Sequence, residues 1–135
     1  LNLSPKGMAY GTKLHNLIAS ADFESIDISL YPKAVNNLLN NDIFKEALRG
    51  DYHREYPFYS LLDNEIIHGF IDFVSFMDDR IILIDYKSDN LENDVDFINI
   101  YKPQLDGYKK VLERTYNKPV MTYIYSFHLE KMITV

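Results

Sequence analysis

Two almost continuously apolar runs, residues 65–77 and 80–86, are separated by only Asp78 and Asp79, and each carries one aspartate deep inside it. The density of Ile, Val, Leu and Phe reads as strands buried on both faces of a sheet. An aspartate in such a run is expensive. An unpaired buried carboxylate costs several kcal/mol or stays protonated, so Asp72 and Asp85 each call for a compensating cation. Period-two alternation sets Ile81, Leu83, Asp85 and Lys87 on one face of the second strand. Pairing through the short connection then brings Asp72 beside Asp85. Two carboxylates and an ammonium converge at one end of the sheet, the pattern of a divalent-metal site with a lysine at its rim.

The remaining elements follow from periodicity and punctuation. A helix over 8–21 has Leu14, Leu17, Ile18 and Ala21 as its apolar stripe. Short helical stretches over 32–39 and 41–48 follow, with Pro32 at a start and Gly50 at a stop. Strands are expected over 54–61, 65–76 and 80–86, and the acidic segment 88–96 reads as a loop. Pro103 opens a helix with Tyr101, Leu105, Tyr108 and Leu112 at helical spacing, closed by Asn117 and Pro119. A fourth strand covers 120–127 and a fifth 131–135. The fold class is α/β: a central mixed sheet flanked by helices, with the order αβββαβ, in a single domain over 1–135.

Composition narrows the function. The chain has 135 residues, 47% hydrophobic, enough for one core and no second domain. Zero cysteines exclude disulfides, thiolate zinc and any iron–sulfur cluster. No apolar run reaches membrane-spanning length, so a soluble cytoplasmic protein is expected, with no membrane partner. The net charge of −6 argues against tight non-specific DNA binding. The basic residues Lys102, Lys109, Lys110, Arg114 and Lys118 crowd one helix, which offers a phosphate-facing surface or a solvated face.

The ordered set Gly69-x-x-Asp72, Ile84-Asp85-Tyr86-Lys87 and Gln104-x-x-x-Tyr108 resembles the PD-(D/E)XK (restriction-endonuclease-like) nuclease superfamily, in its RecB-like branch. Within that branch it is most similar to the C-terminal nuclease domains of AddA-type bacterial helicase–nucleases. The resemblance runs from Gly11-Thr12-Lys13-Leu14-His15 through Glu55-Tyr56-Pro57-Phe58 to the Tyr-rich final strands. Ser88 stands where many relatives have threonine.

By position, the resemblance implies that His15, Asp72 and Asp85 hold metal and that Lys87 is the catalytic lysine. Gln104 and Tyr108 then belong to the branch's characteristic helix. Pattern alone leaves His15 as an ordinary helix-face histidine, and His53, His68 and His128 as structural. Glu55 is an accessory ligand or a polar strand edge. Tyr108 reads mostly as core, with Gln104 the nearer contact to substrate.

Phosphodiester hydrolysis needs an activated water and charge neutralisation at the phosphate. An oxygen-rich set of Asp72, Asp85 and the Tyr86 backbone carbonyl, with His15 as the family position implies, suits Mg²⁺ or Mn²⁺. The expected activity is a divalent-metal-dependent deoxyribonuclease of exonuclease type. The expected setting is DNA end resection and recombinational break repair within an ATP-dependent helicase–nuclease. The chain opens on Leu1 and has no G-x-x-x-x-G-K-[ST] motor motif. It therefore reads as a domain of a longer chain, with DNA delivered as a single strand by that chain's helicase domains and an AddB-type partner. The alternative is an inactive nuclease-like module that serves structure or guides DNA. Replacing either aspartate is expected to leave the fold intact or stabilised, because buried like charges are removed.

Overall fold

The computed structural model describes residues 5–24 and 31–135. Helix α1 (Pro5–Ser20) leads to α2 (Lys33–Leu39) and α3 (Asp42–Ala47). Then come β1 (Asp51–Leu62), β2 (Glu65–Phe76) and β3 (Ile81–Lys87), followed by α4 (Asp94–Tyr116), β4 (Val120–Ser126) and β5 (Lys131–Thr134). The five strands form one sheet in the order β1-β2-β3-β4-β5. β3 and β4 run parallel, joined through α4, and the other neighbours are antiparallel. This is the expected α/β architecture, with the two expected short helices, α2 and α3, between α1 and the sheet in chain order.

β3 is central, and residues 81–86 are all buried. Alternation divides its side chains between two cores. Ile82, Ile84 and Tyr86 join Leu14, Ile18, Val35, Leu38 and Phe44 of α1–α3. Ile81 and Leu83 join Phe97, Leu105, Tyr108 and Leu112 of α4. Asp85 and Lys87 continue the second series, so they emerge on the α4 side, where the apolar packing ends.

α4 differs from the expectation. It begins at Asp94, and Pro103 lies inside it instead of opening it. Asn93 accepts the Asp96 N–H at 3.0 Å as N-cap, and Asp94 and Asp96 sit in the first turn, where acids complement the helix dipole. Phe97 is fully buried and anchors this turn. An interior proline costs about 3 kcal/mol and leaves the Asn99 carbonyl without its helical donor. Burying Phe97 and capping the new start offset that cost, because Pro103 itself stays on the exposed face. The acidic loop therefore ends at Asn93 instead of 96. Asn117, at φ 53°, closes the helix in the left-handed conformation that asparagine tolerates.

Strict alternation fails on β2. Phe73 enters the α1–α3 core, whereas Ile71 and Val74 both enter the α4 core. The cause lies on the neighbouring strand. Glu55 adopts φ 50°, an uncommon conformation for a non-glycine residue. The β1–β2 ladder holds Arg54 opposite Phe73 and Tyr56 opposite Ile71, but the facing positions Glu55 and Asp72 form no ladder pair. This kink turns Asp72 off the Val74–Phe76 face and toward α1.

Candidate active site

The two strands and two helices bring the expected residues to one end of the sheet. Asp72 of β2 faces α1, where its Oδ1 lies 3.4 Å from His15 Nδ1. Its Oδ2 accepts the Tyr86 backbone N–H at 2.8 Å. Asp85 Oδ2 lies 2.9 Å from Lys87 Nζ, with both side chains largely buried. That approach lacks hydrogen-bond geometry, and Asp85 Oδ2 has no hydrogen-bond partner among the described residues. An ammonium at that distance already compensates the charge of this oxygen, so an added cation would share it or displace the lysine. One cavity is lined by His15, Asp72, Asp85, Lys87, Gln104 and Tyr108, among others. A second opens beside it between Glu55, His15, Asp72, Gly11 and Ser88.

The electrostatics follow from burial and partners. Burial, opposed by Lys87 and reinforced by Asp72, pushes the Asp85 carboxyl up to about 7. Asp72 is buried too, but the His15 and Tyr86 hydrogen bonds outweigh that and hold it below the usual carboxylate range. Burial alone would lower His15, yet its bond to Asp72 and the surrounding acids raise it above the ordinary histidine value. One carboxylate is thus held ionised and the other near neutrality.

Two carboxylates supply hard oxygen donors that suit Mg²⁺ or Mn²⁺, and the imidazole tilts the set towards Mn²⁺. Among the described residues, no three His, Asp or Glu side chains are already gathered around one point as ligands. Asp72 is occupied by His15 and the Tyr86 N–H, and Asp85 is held by Lys87. An ion must compete with these protein cations and donors, which makes binding pH-dependent.

The other expected residues separate. Gln104 is exposed, and its Nε2 donates to Tyr108 Oη at 3.3 Å. Tyr108 is 8% exposed and lies edge-on to Phe58 at 4.8 Å between ring centroids, so it is mainly core. Glu55 reaches the second cavity through its kinked backbone. Part of the basic cluster is engaged within the protein. Lys102 pairs with Asp106, Lys109 with Glu113, and Lys118 Nζ donates to the Met77 carbonyl. The solvated-face reading fits these three.

Three features escaped sequence reasoning. Lys87 Nζ stands 4.3 Å from the centroid of the Tyr101 ring. Tyr101 Oη donates to Asp89 Oδ2 at 2.5 Å, and Asp89 is 4% exposed. Arg54 of β1 donates to the Ile18, Ala19 and Ala21 carbonyls and covers the Phe23 ring, clamping the end of the helix that carries His15. The signals were present, Asp89 two residues after Lys87 and Tyr101 three before Gln104, but nothing local pairs them.

Gly11 sets how closely α1 approaches the site. A Cβ there would lie 2.3 Å from Ser88 Oγ and 2.7 Å from Ser88 Cβ. Gly→Ala inside a helix ordinarily gains about 1 kcal/mol. Here overpacking of about 1–3 kcal/mol opposes it. Gly11→Ala is expected to lower the melting temperature, and Ser88→Gly in the same chain to restore most of the loss. A rise in melting temperature for the single variant would show that the contact is not limiting.

No protein-family profile matches the chain. Similarity to individual proteins is clear. A segment of the AddA component of the ATP-dependent helicase/nuclease of Clostridium botulinum is 34% identical over 128 residues, covering 79% of this chain and 10% of that protein. The protein of the same name from Oceanobacillus iheyensis is 28% identical over 144 residues, 90% of this chain and 11% of its own length. The Streptococcus pyogenes protein is 31% identical over 83 residues, 57% of this chain and 7% of its own. The chain spans about a tenth of the length of the first two of these relatives. It is therefore related to one stretch of the AddA proteins of ATP-dependent helicase/nucleases.

Proposed function

We propose that this chain is a divalent-metal-dependent deoxyribonuclease domain of the PD-(D/E)XK type. The observation that carries this reading is the meeting of Asp72, Asp85 and Lys87 in one cavity, with the buried Asp85 carboxylate against the Lys87 ammonium. Asp72, Asp85, His15 and the Tyr86 carbonyl are the groups that would hold Mg²⁺ or Mn²⁺. Bound there, the ion supplies charge neutralisation at the scissile phosphate and makes water a better nucleophile.

The chain's own residues do the rest. The Tyr86 N–H fixes the orientation of Asp72, and His15 holds its second oxygen. Lys87 presents an ammonium at the cavity wall, placed to orient the attacking water or to stabilise the phosphate as negative charge develops. Gln104 lies at the cavity edge on an exposed helix face, within reach of the strand. Burial around Asp85 and Tyr108 limits water near the reacting groups.

In the longer protein, the substrate we infer is a single DNA strand delivered by helicase domains and an AddB-type partner. The work is then exonucleolytic processing of ends in break repair, in the bacterial cytoplasm. No described helix is long and apolar enough to cross a membrane. Delivery at high effective concentration also makes the acidic charge tolerable, because weak intrinsic affinity suffices.

The test is a Mn²⁺ titration followed by melting temperature, run beside cleavage of an end-labelled single strand. Saturable stabilisation with metal-dependent cleavage supports the nuclease. A domain that binds the ion without cleaving, or does neither, is the inactive structural or DNA-guiding module. His15→Ala is expected to raise the Mn²⁺ concentration for half-maximal cleavage by about 10–100-fold, with partial rescue at high Mn²⁺. A variant that matches wild type at limiting metal would return His15 to a structural role.

A further inference from the structure

Lys87 has two attractive neighbours of different kinds. Asp85 Oδ2 lies 2.9 Å from its Nζ, and the centroid of the Tyr101 ring 4.3 Å away. A carboxylate competes for the ammonium's hydrogen bonds. A ring face attracts the charge and leaves the N–H groups free. Tyr101 is itself fixed, because its Oη donates to Asp89 Oδ2 at 2.5 Å. Asp89 is 4% exposed and lies two residues beyond Lys87 on the same chain. The hydrogen bond therefore staples α4 to the exit of β3 at the point where Lys87 leaves the sheet. Tyr101 is only half-buried, unlike Tyr108, so packing alone does not explain its placement.

We propose that Tyr101 and Asp89 form a brace that sets the Lys87 ammonium, with Tyr101 acting as a positioning residue through its ring face. For its effect on cleavage, this rests on the nuclease reading above. In that reading Asp85 is drawn away from Lys87 to serve as a ligand, and an ammonium released from its carboxylate swings toward solvent unless something else attracts it. The ring supplies that attraction without occupying a donor. The Asp89 bond keeps the ring from turning away. Lys87 then keeps its N–H groups for the water or phosphate oxygens beside it.

The variants Tyr101→Leu, Tyr101→Phe and Asp89→Ala separate the parts. Tyr101→Leu removes the ring and is expected to lower kcat for single-strand cleavage by about tenfold or more, with KM for the strand unchanged. Tyr101→Phe keeps the ring but frees it, so its loss falls between wild type and Tyr101→Leu. Asp89→Ala is expected to match Tyr101→Phe, and the double variant to be no worse than either, because both remove one bond.

A readout independent of activity is the proton NMR shift of the Lys87 ε-methylene in the metal-free protein. It is expected upfield in wild type from the ring current and at its ordinary position in Tyr101→Leu. An ordinary shift in wild type overturns the brace, as does Tyr101→Leu with wild-type kcat. Additive losses in the double variant also overturn the Tyr101–Asp89 part. An upfield shift in a protein that cleaves no strand would keep the brace and remove the nuclease reading instead.

Discussion

On the proposed nuclease reading, Asp72→Ala and Asp85→Ala are each expected to reduce metal-dependent cleavage by at least about a thousandfold, since each removes a proposed charged ligand. Lys87→Ala should lose about a hundredfold or more while still binding Mn²⁺, because it removes charge stabilisation and no ligand. The two aspartates then part company in stability. Asp72 accepts the Tyr86 N–H and engages His15, so its removal leaves a backbone donor without a partner in a buried strand. A loss of about 1–3 kcal/mol is expected. Asp85 holds the Lys87 ammonium, which can turn to solvent, and carries the burial penalty of its own charge, so Asp85→Ala should cost less stability than Asp72→Ala at neutral pH. The expectation from sequence, that removing either charge leaves the fold unharmed, is thereby set against a larger loss at Asp72, and the two melting temperatures decide it. Full cleavage by Asp85→Ala would remove the site assignment. Equal destabilisation by both variants would contradict this account of their partners.

Asp72, Asp85 and Lys87 were legible in the sequence for a reason that is local and energetic. Charges embedded in β-branched apolar runs need partners, and period-two alternation puts Asp85 and Lys87 on one face, although it fails for Asp72. The order of elements was legible for the same reason, because β3 is apolar on both faces and α4 on one. What stayed hidden depends on contacts between distant segments. Glu55 carries no glycine or asparagine signal for its left-handed backbone, yet that kink turns Asp72 toward His15. Arg54 looks like any strand-edge cation until α1 ends against it. Pro103 resembles a helix start more than Asn93 does, and only the burial of Phe97 decides between them. In the basic cluster, the sequence counts five charges but does not show that Lys102, Lys109 and Lys118 are engaged within the protein. His15 was the extreme case. Nothing about an amphipathic helix distinguishes it from other histidines, and its place beside Asp72 comes from the fold.

The metal-free protein is expected to lose stability as pH rises from about 5.5 to 8, against the usual trend for a domain stabilised by paired carboxylates. Two groups drive this. The Asp85 carboxyl is raised from 3.8 to about 7, so between those values the folded chain holds a proton that the unfolded chain has released. Unfolding then releases protons, and stability falls as pH climbs. His15 is raised above 6.5, so the stability from its protonated bond to Asp72 is complete below that value and is lost as pH rises through its folded pKa. Asp72 works in the opposite sense. Its pKa is lowered, so its contribution is present above 3.8 and disappears only in stronger acid, outside this window. Each unit of displacement corresponds to about 1.4 kcal/mol, and about 1 kcal/mol moves a domain of this size by roughly 3–5 °C. A fall in melting temperature of about 5 °C or more across the window is therefore expected. Asp85→Asn should flatten most of that slope, which separates the site from the general repulsion of a chain with net charge −6. Mn²⁺ should restore stability at pH 8, where both aspartates are ionised, and do little at pH 5.5, where protons compete for the same atoms. If Asp85→Asn kept the wild-type slope, Asp85 would not be the group that titrates, and the buried carboxylate at the centre of the proposed site would lose its support.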